Sequence, residues 1–499
     1  MNDALRMTAA LRPGLLPHLP ATVRRPAYDR SALRAGMAHL GVGAFHRCHQ
    51  EEFTDDALEQ RFDRWGVIGI NIRPPRLGAT LAPQDGLYTR LLRDGDKVDA
   101  RVIGSLLAVV DSQDDPGPAL ATLAAPEIDV VTMTVTEKGY CHQPATGQID
   151  PAHPDIVHDL AHPDRPRSVP GLVLAAIERR MQSHGQPISF ISCDNIPSNG
   201  AILAAVVGAL AERRGAGVVD WIADNVAFPE TMVDRIVPAT TASDLVFVTE
   251  NYGYADTAVV VGEPFRQWVI ENRFAGRTPP WALSGATFVD DVMPFELIKM
   301  RVLNAAQTSF CYLGLLAGHE HTCDDMTDPL LTGLVRRMLI EETLPLLPPV
   351  PGVDPLAYLE QTYARLRNTA IRHRNHQIAT DGSRKIVQRI LNPIRDRLDA
   401  GGEVERLTVI VAAWMTYLVL ASERFGRRWT VEDPFAAEGA AIADRIGHDT
   451  AALTDAFLAH EAIFDAALAS RPAFREPVAR HLAGLLSPDP VAYLRQIEG

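Results

Sequence analysis

Apolar residues in the first half of the chain come in short unbroken runs, and in the second half they recur at helical spacing. Residues 37–41 (Met-Ala-His-Leu-Gly), 65–71 (Trp-Gly-Val-Ile-Gly-Ile-Asn), 128–136 and 187–193 each read as a strand buried on both faces. A parallel strand covered by helices has no solvent side to keep polar, so its sequence is a continuous apolar run. Stretches 171–182 and 201–214 supply helical periodicity between or after these runs. Beyond residue 290 the spacing is helical over 296–317, 329–345, 355–366, 404–423, 433–446, 450–469 and 472–486. The pattern predicts an α/β Rossmann-like N-terminal domain with a mostly parallel sheet over 1–288. A predominantly α-helical C-terminal domain follows over 289–499, the boundary falling within 282–293. A stiff proline-rich connection is expected at 344–351.

Composition narrows the classes. At 499 residues the chain is too long for one ordinary core. Its formal charge of −14 disfavours nucleic acid or an anionic membrane as partner, yet allows a small anionic substrate in a locally basic pocket. No apolar run reaches the length of a membrane span, and the first twenty residues, broken by Pro13 and Pro17, do not form a secretory signal. The five cysteines, Cys48, Cys141, Cys193, Cys311 and Cys323, are scattered and form no CxxC pair, as suits reduced thiols in the cytoplasm. His319-Glu-His-Thr-Cys323 reads as a polar loop in preference to three metal ligands, and no metal is expected. The sequence does not decide between a monomer and a dimer.

Two motifs carry chemistry. Gly41-Val-Gly43 follows the first strand, where glycines spaced i, i+2 let the backbone turn and approach a pyrophosphate; His46 replaces the third glycine of the usual fingerprint. At the end of the second strand stands Asn71-Ile-Arg-Pro-Pro-Arg76, with no acid to select NAD by its ribose hydroxyl, so NADP is not excluded. Arg73 and Arg76 are candidates to stack on adenine or meet a phosphate; the alternative is that they are plain loop cations. The second motif is the run from Phe295 to Gln307, mostly apolar and helical. At 100° per residue, Glu296, Lys299, Asn304 and Gln307 fall within a sector of about 140°. A lysine among apolar neighbours loses hydration of its charged form and can exchange a proton with a substrate hydroxyl.

Together with Gln84-Asp-Gly-Leu-Tyr-Thr89, Thr134-Val-Thr-Glu-Lys-Gly-Tyr140, Ser192-Cys-Asp-Asn-Ile-Pro197, the segments 228–238 and 263–271, and Asp381-Gly-Ser-Arg-Lys385, these motifs make the chain resemble the long-chain polyol dehydrogenases. That family contains mannitol 2-dehydrogenase and fructuronate reductase (mannonate oxidoreductase). The resemblance implies metal-independent hydride transfer between a nicotinamide cofactor, NAD first, and a secondary alcohol of a polyol or aldonate. It implies Lys299 as general acid/base and Asn195 and Asn304 as the amides holding the reacting oxygen. Glu137, Asp234, Glu296, Gln307, Lys385 and Arg389 are implied at the substrate, and Gly41, Gly43, Phe45, His46, Arg47, Arg73, Arg76 and Thr136 at the cofactor. Two departures matter: Gln307 stands where the family carries His, and Gln377 where mannitol dehydrogenases carry Arg. The segment 377–389 is closer to the fructuronate reductase branch, where Lys385, Arg389 and Arg372 or Arg374 could meet a sugar carboxylate. D-mannonate/D-fructuronate is therefore expected ahead of D-mannitol/D-fructose. The competing class is a non-catalytic cofactor- or sugar-binding sensor on the same fold.

Overall fold

Six strands form one sheet in the computed structural model, which describes residues 9–143 and 146–498. They are β1 (Ala35–Leu40), β2 (Gly66–Asn71), β3 (Leu106–Asp111), β4 (Val130–Met133), β5 (Ile188–Ser192) and β6 (Val226–Ala227). Every neighbouring pair is parallel, and the spatial order is β3-β2-β1-β4-β5-β6. The order reverses at β1, whose Leu40 pairs with Ile70 of β2 on one side and Met133 of β4 on the other. Ligands of open parallel sheets bind beyond the strand ends at such a reversal. β4 and β5 are buried along their whole length, which accounts for their unbroken apolar sequence.

The chain divides into two units between Met293 and Pro294. In the first, three smaller sheets accompany the central one among the described residues, the shortest pairing Ala9–Ala10 with Tyr254–Ala255. The antiparallel pair Tyr88–Asp94 and Lys97–Ile103 joins Val260–Gly262 and Val23–Arg24. Thr231–Asp234, Gln267–Glu271 and Thr287–Val289 form the third. The sequence pattern did not predict the first pair, because its inward positions include arginines. Arg90 and Arg101 are wholly buried and meet the acidic face of a helix. After α1 (Ala44–Cys48), α2 (Gln50–Gln60) carries buried Glu51, Glu52 and Asp55 and half-buried Asp56. Arg101 lies 2.5 Å from Asp55 and 3.3 Å from Glu59 and also pairs with Asp56. Arg235 pairs with Glu52, and Arg266 lies 2.7 Å from Asp56. Burial alone would raise the Glu52 carboxyl, but Arg90, Arg235 and Arg266 outweigh it and hold it at about 2.

The second unit is helical. α3 (Glu405–Leu420) is buried from Leu407 to Val419 and packs against α4 (Pro472–Leu485) and the helix Ala305–Ala317. A helix apolar on all sides belongs at the centre of a bundle. The continuous α-helices expected over 296–317 and 329–345 are interrupted. Lys299–Asn304, Met338–Thr343 and Val387–Leu391 are π-helical turns with i→i+5 bonding. Part of the expected proline-rich connection is a 3-10 turn at Leu344–Leu346. No described helix is long and apolar enough to cross a membrane.

Removing one cation from the α2 network leaves buried carboxylates uncompensated. Arg101→Ala is expected to cost about 3–5 kcal/mol of stability, read as a lower urea midpoint at unchanged slope. An unchanged midpoint would show that the network adds nothing to folding.

Candidate active site

In the sheet unit the site is built at the β1–β4 reversal. Gly41 turns with φ of +89°, and a Cβ there would lie 2.2 Å from the Thr134 carbonyl oxygen. Only glycine fits both the conformation and the space. Its N–H donates to the Ile70 carbonyl at 2.9 Å, and its own carbonyl accepts from the Thr134 hydroxyl at 2.8 Å. Gly43 is the opposite case: a Cβ there meets nothing closer than the Gly41 oxygen at 3.8 Å. That face is open for a ligand to approach the backbone. Asn71, at the end of β2, accepts the Val42 N–H at 3.0 Å, and its buried Nδ2 donor has no protein partner.

The neighbouring strand ends are tied in the same manner. Asp194, just past β5, accepts the N–H groups of Val135 at 3.0 Å and Thr136 at 2.8 Å and the Tyr140 hydroxyl at 2.7 Å. Burial pushes its carboxyl up, against the pull of Tyr140 and the two N–H groups. This clamp holds Thr136 at φ of +62°, a conformation rare for a residue with a side chain. Asn199 clamps the next layer, donating to the Asp194 carbonyl at 3.1 Å and the Thr231 carbonyl at 2.9 Å. These groups enclose a cavity of about 500 Å³ lined by Gly41, Val42, Gly43, Asn71, Arg73, Thr134 and Thr136 among others.

Of the expected cofactor residues, Gly41, Gly43, Arg73 and Thr136 line this cavity, and Phe45, His46, Arg47 and Arg76 do not. α1 is only five residues long and turns its next two side chains inward. His46 stacks on His39 at 3.4 Å between ring centroids and meets Glu51 at 3.1 Å. Arg47 donates to the Ala258 carbonyl and lies over the Tyr88 ring. Phe45 stacks on His49, and Arg76 pairs with Asp114 at the surface. Asn195 is exposed immediately after Asp194, and Glu137 is half-buried beside Thr136. Asp234 is buried at the end of Thr231–Asp234, opposite Gln267. Asp194 and Asn199 have site-building roles that sequence reasoning missed. The signal available was their place in the polar cluster directly after an apolar run.

In the helical unit Lys299 and Asn304 begin and end one π turn, both buried. In an α-helix residues five apart would stand about 140° apart; i→i+5 bonding closes that angle and draws the two toward one face. Glu296, on Met293–Ile298, and Gln307, on Ala305–Ala317, are half-buried on either side. Arg389, on a second π turn, donates to the Thr308 hydroxyl at 3.0 Å and reaches the Asn304 carbonyl at 3.4 Å. Burial lowers its pKa to about 10. Lys385 donates to the Ile378 carbonyl at 3.1 Å, and burial, with the Arg389 charge, lowers it to about 8. Neither cation has an ion-pair partner among the described residues. Arg374 pairs with Glu320 at the surface, and Arg372 and Gln377 are exposed.

Two groupings of metal-ligand type are committed to protein partners. His319 meets Asp325 at 3.1 Å and His321 meets Asp324 at 3.3 Å. Cys141, His153 and Asp155 bring ligand atoms within 4.8 Å of one another, but His153 accepts the Asp155 N–H and Asp155 lies 2.5 Å from Arg73.

The strand order, the glycine turn and the cavity beside it define a dinucleotide-binding Rossmann domain, and the remainder of the chain is helical. Residues 35–283 match the Mannitol dehydrogenase Rossmann domain, and 291–486 the Mannitol dehydrogenase C-terminal domain. The chain belongs to the mannitol dehydrogenase family of polyol and aldonate dehydrogenases. It is 39% identical to D-mannonate oxidoreductase of Escherichia coli over 420 residues, covering 83% of this chain and 86% of that protein. It is 37% identical to mannitol 2-dehydrogenase of Phaeosphaeria nodorum over 419 residues, 83% of this chain and 74% of that one. The ternary complex of Pseudomonas fluorescens mannitol 2-dehydrogenase with NAD and D-mannitol superposes with a TM-score of 0.88 at 34% identity, covering 98% of this chain and 99% of that chain.

The two glycines are separable by experiment. Gly41→Ala is expected to destabilise the protein by about 2–4 kcal/mol through its backbone angle and the clash with Thr134. Gly43→Ala should stay within about 0.5 kcal/mol of the parent. Equal thermal melts for the two variants would contradict the packing described.

Proposed function

We propose that this enzyme is a metal-independent NAD(P)-dependent oxidoreductase interconverting D-mannonate with D-fructuronate, with D-mannitol and D-fructose the second choice. The order rests on one observation: Lys385 and Arg389 are neighbouring cations in the helical unit with no carboxylate at ion-pair distance among the described residues, Asp381 and Asp433 acting on Lys385 only from farther off. Leaving two such charges unpaired is costly unless an anion joins them, and a sugar carboxylate is the anion the aldonate brings. The E. coli D-mannonate oxidoreductase supports the class, and the mannitol complex of the P. fluorescens enzyme supports the second choice.

The open face of Gly43, the unpartnered Asn71 donor and the adjoining cavity suit a dinucleotide, with NAD first and Arg73 and Thr136 as further contacts. A bound nicotinamide would supply the acceptor for the hydride that leaves the alcohol carbon. Neutral Lys299 takes the hydroxyl proton on its Nζ during oxidation and returns it in the reverse direction. Asn304 and Asn195 donate N–H to the oxygen as negative charge develops there. Glu137, Asp234, Glu296 and Gln307 orient the remaining hydroxyls; Gln307 does so without titrating near neutrality, as a histidine would. Five buried free thiols support a reducing, cytoplasmic setting.

Reduction of D-fructuronate and of D-fructose with NADH, followed by absorbance, tests the substrate order. Robust fructose turnover without fructuronate turnover would reverse it. Lys299→Ala should abolish hydride transfer near neutral pH with dinucleotide affinity nearly intact; retained turnover would remove the lysine from its role. Lys385 carries its charge below its pKa of about 8 and loses it above. KM for the aldonate should therefore rise as pH passes through about 8, with no matching rise for uncharged mannitol. Parallel KM profiles for the two would take Lys385 away from the carboxylate.

A further inference from the structure

The cavity at the glycine turn continues into a second hollow of about 680 Å³, and Ile72, Arg73 and Asp155 line both. Ser112, directly after β3, also lines this hollow, so it lies beyond the ends of β2 and β3. In a sheet of this order that is the adenosine side, where an acid at the end of β2 would accept the ribose 2′-hydroxyl and select NAD. The residue here is Asn71, whose Oδ1 is already occupied by the Val42 N–H and whose free group is a buried donor. Two acids line the hollow: Asp155 has its charge taken up by Arg73 at 2.5 Å, and Asp114 pairs with Arg76. Arg165 and Arg167 stand exposed on the wall of the hollow, without an ion-pair partner among the described residues.

We propose that this basic hollow holds the 2′-phosphate of a phosphorylated dinucleotide, so that the enzyme uses NADPH beside NADH. The proposal rests on the dinucleotide reading above and extends it to the adenosine end. A phosphate offers three acceptor oxygens, which suits unpaired guanidinium forks and finds no free carboxylate at the end of β2 to repel it.

The test is calorimetric titration of the whole protein with adenosine 2′,5′-bisphosphate and with adenosine 5′-monophosphate, followed by kcat/KM for NADPH and NADH with the accepted ketose. The bisphosphate is expected to bind about tenfold tighter than the monophosphate or better, an advantage that falls with added salt. In the Arg165→Ala/Arg167→Ala double variant that advantage and the NADPH kcat/KM should drop about tenfold, with NADH kcat/KM within about twofold of the parent. The Arg165→Lys/Arg167→Lys variant should keep most of the advantage. Both side chains are exposed, so folding is not at stake. Equal affinity for the two nucleotides, or an advantage that survives the double alanine variant, overturns the proposal and leaves the dinucleotide reading standing. Binding of neither nucleotide overturns both.

Discussion

The Thr134 carbonyl leaves no room beside Gly41, and the sheet unit's site follows from that. With 2.2 Å between that oxygen and any Cβ, β1 and β4 can approach only if the chain leaves β1 through a glycine at positive φ. The turn is then fixed from both sides: the Thr134 hydroxyl holds the Gly41 carbonyl and Asn71 holds the Val42 N–H. Asp194 does the same for the loop after β4. The rim is thus made of side chains from one strand end gripping the backbone of the next. A ligand arriving there meets loops already fixed in place and does not have to order them itself.

A comparable economy operates in the helical unit through a local change of helical pitch. Lys299 and Asn304 are five residues apart, the separation that an i→i+5 turn spans. Arg389 sits on a π turn of its own and reaches back to the carbonyl of Asn304 and the hydroxyl of Thr308. Two widened turns and one guanidinium therefore brace this part of the helical unit. Lys299 and Asn304 are both buried there.

The sequence made some of this legible and hid the rest for physical reasons. β1, β2, β4 and β5 were readable because they are buried on both faces and so appear as unbroken apolar runs. β6 is two residues long, too short to carry a pattern. The strands Tyr88–Asp94 and Lys97–Ile103 were masked by Arg90 and Arg101, which look like solvent-facing positions until the acids of α2 are placed against them. Angular arithmetic grouped Lys299 with Asn304 on one side of a helix but assumed a constant 100° per residue, and no propensity scale marks where a helix widens into a π turn. His46 and Arg47 follow the glycines in sequence, as cofactor contacts would, yet a five-residue helix turns them into the core. Proximity in sequence to a motif says little about direction.

Arginine use separates structural cations from those available to a ligand. In a chain of net charge −14, Arg90, Arg101 and Arg235 are buried and each meets carboxylates from neighbouring elements. Arg180 is buried without an acid, and its donors are spent on the carbonyls of Leu123, Ala125, Gln186 and Pro187. Arg389 fits neither pattern: it has one hydroxyl and one long carbonyl contact, and a second cation beside it. A guanidinium carries five donors, so burial with two engaged partners leaves capacity that the fold does not use. Lys385 beside it raises the cost of burial, since two like charges raise each other's energy in a low dielectric, and Asp381 and Asp433 offset this only from a distance. Arg90, Arg101 and Arg235 thus have their charge met by acids and Arg180 has its donors met by carbonyls, whereas Arg389 and Lys385 have no acid at ion-pair distance among the described residues, which leaves donor capacity that an anion from outside can take up.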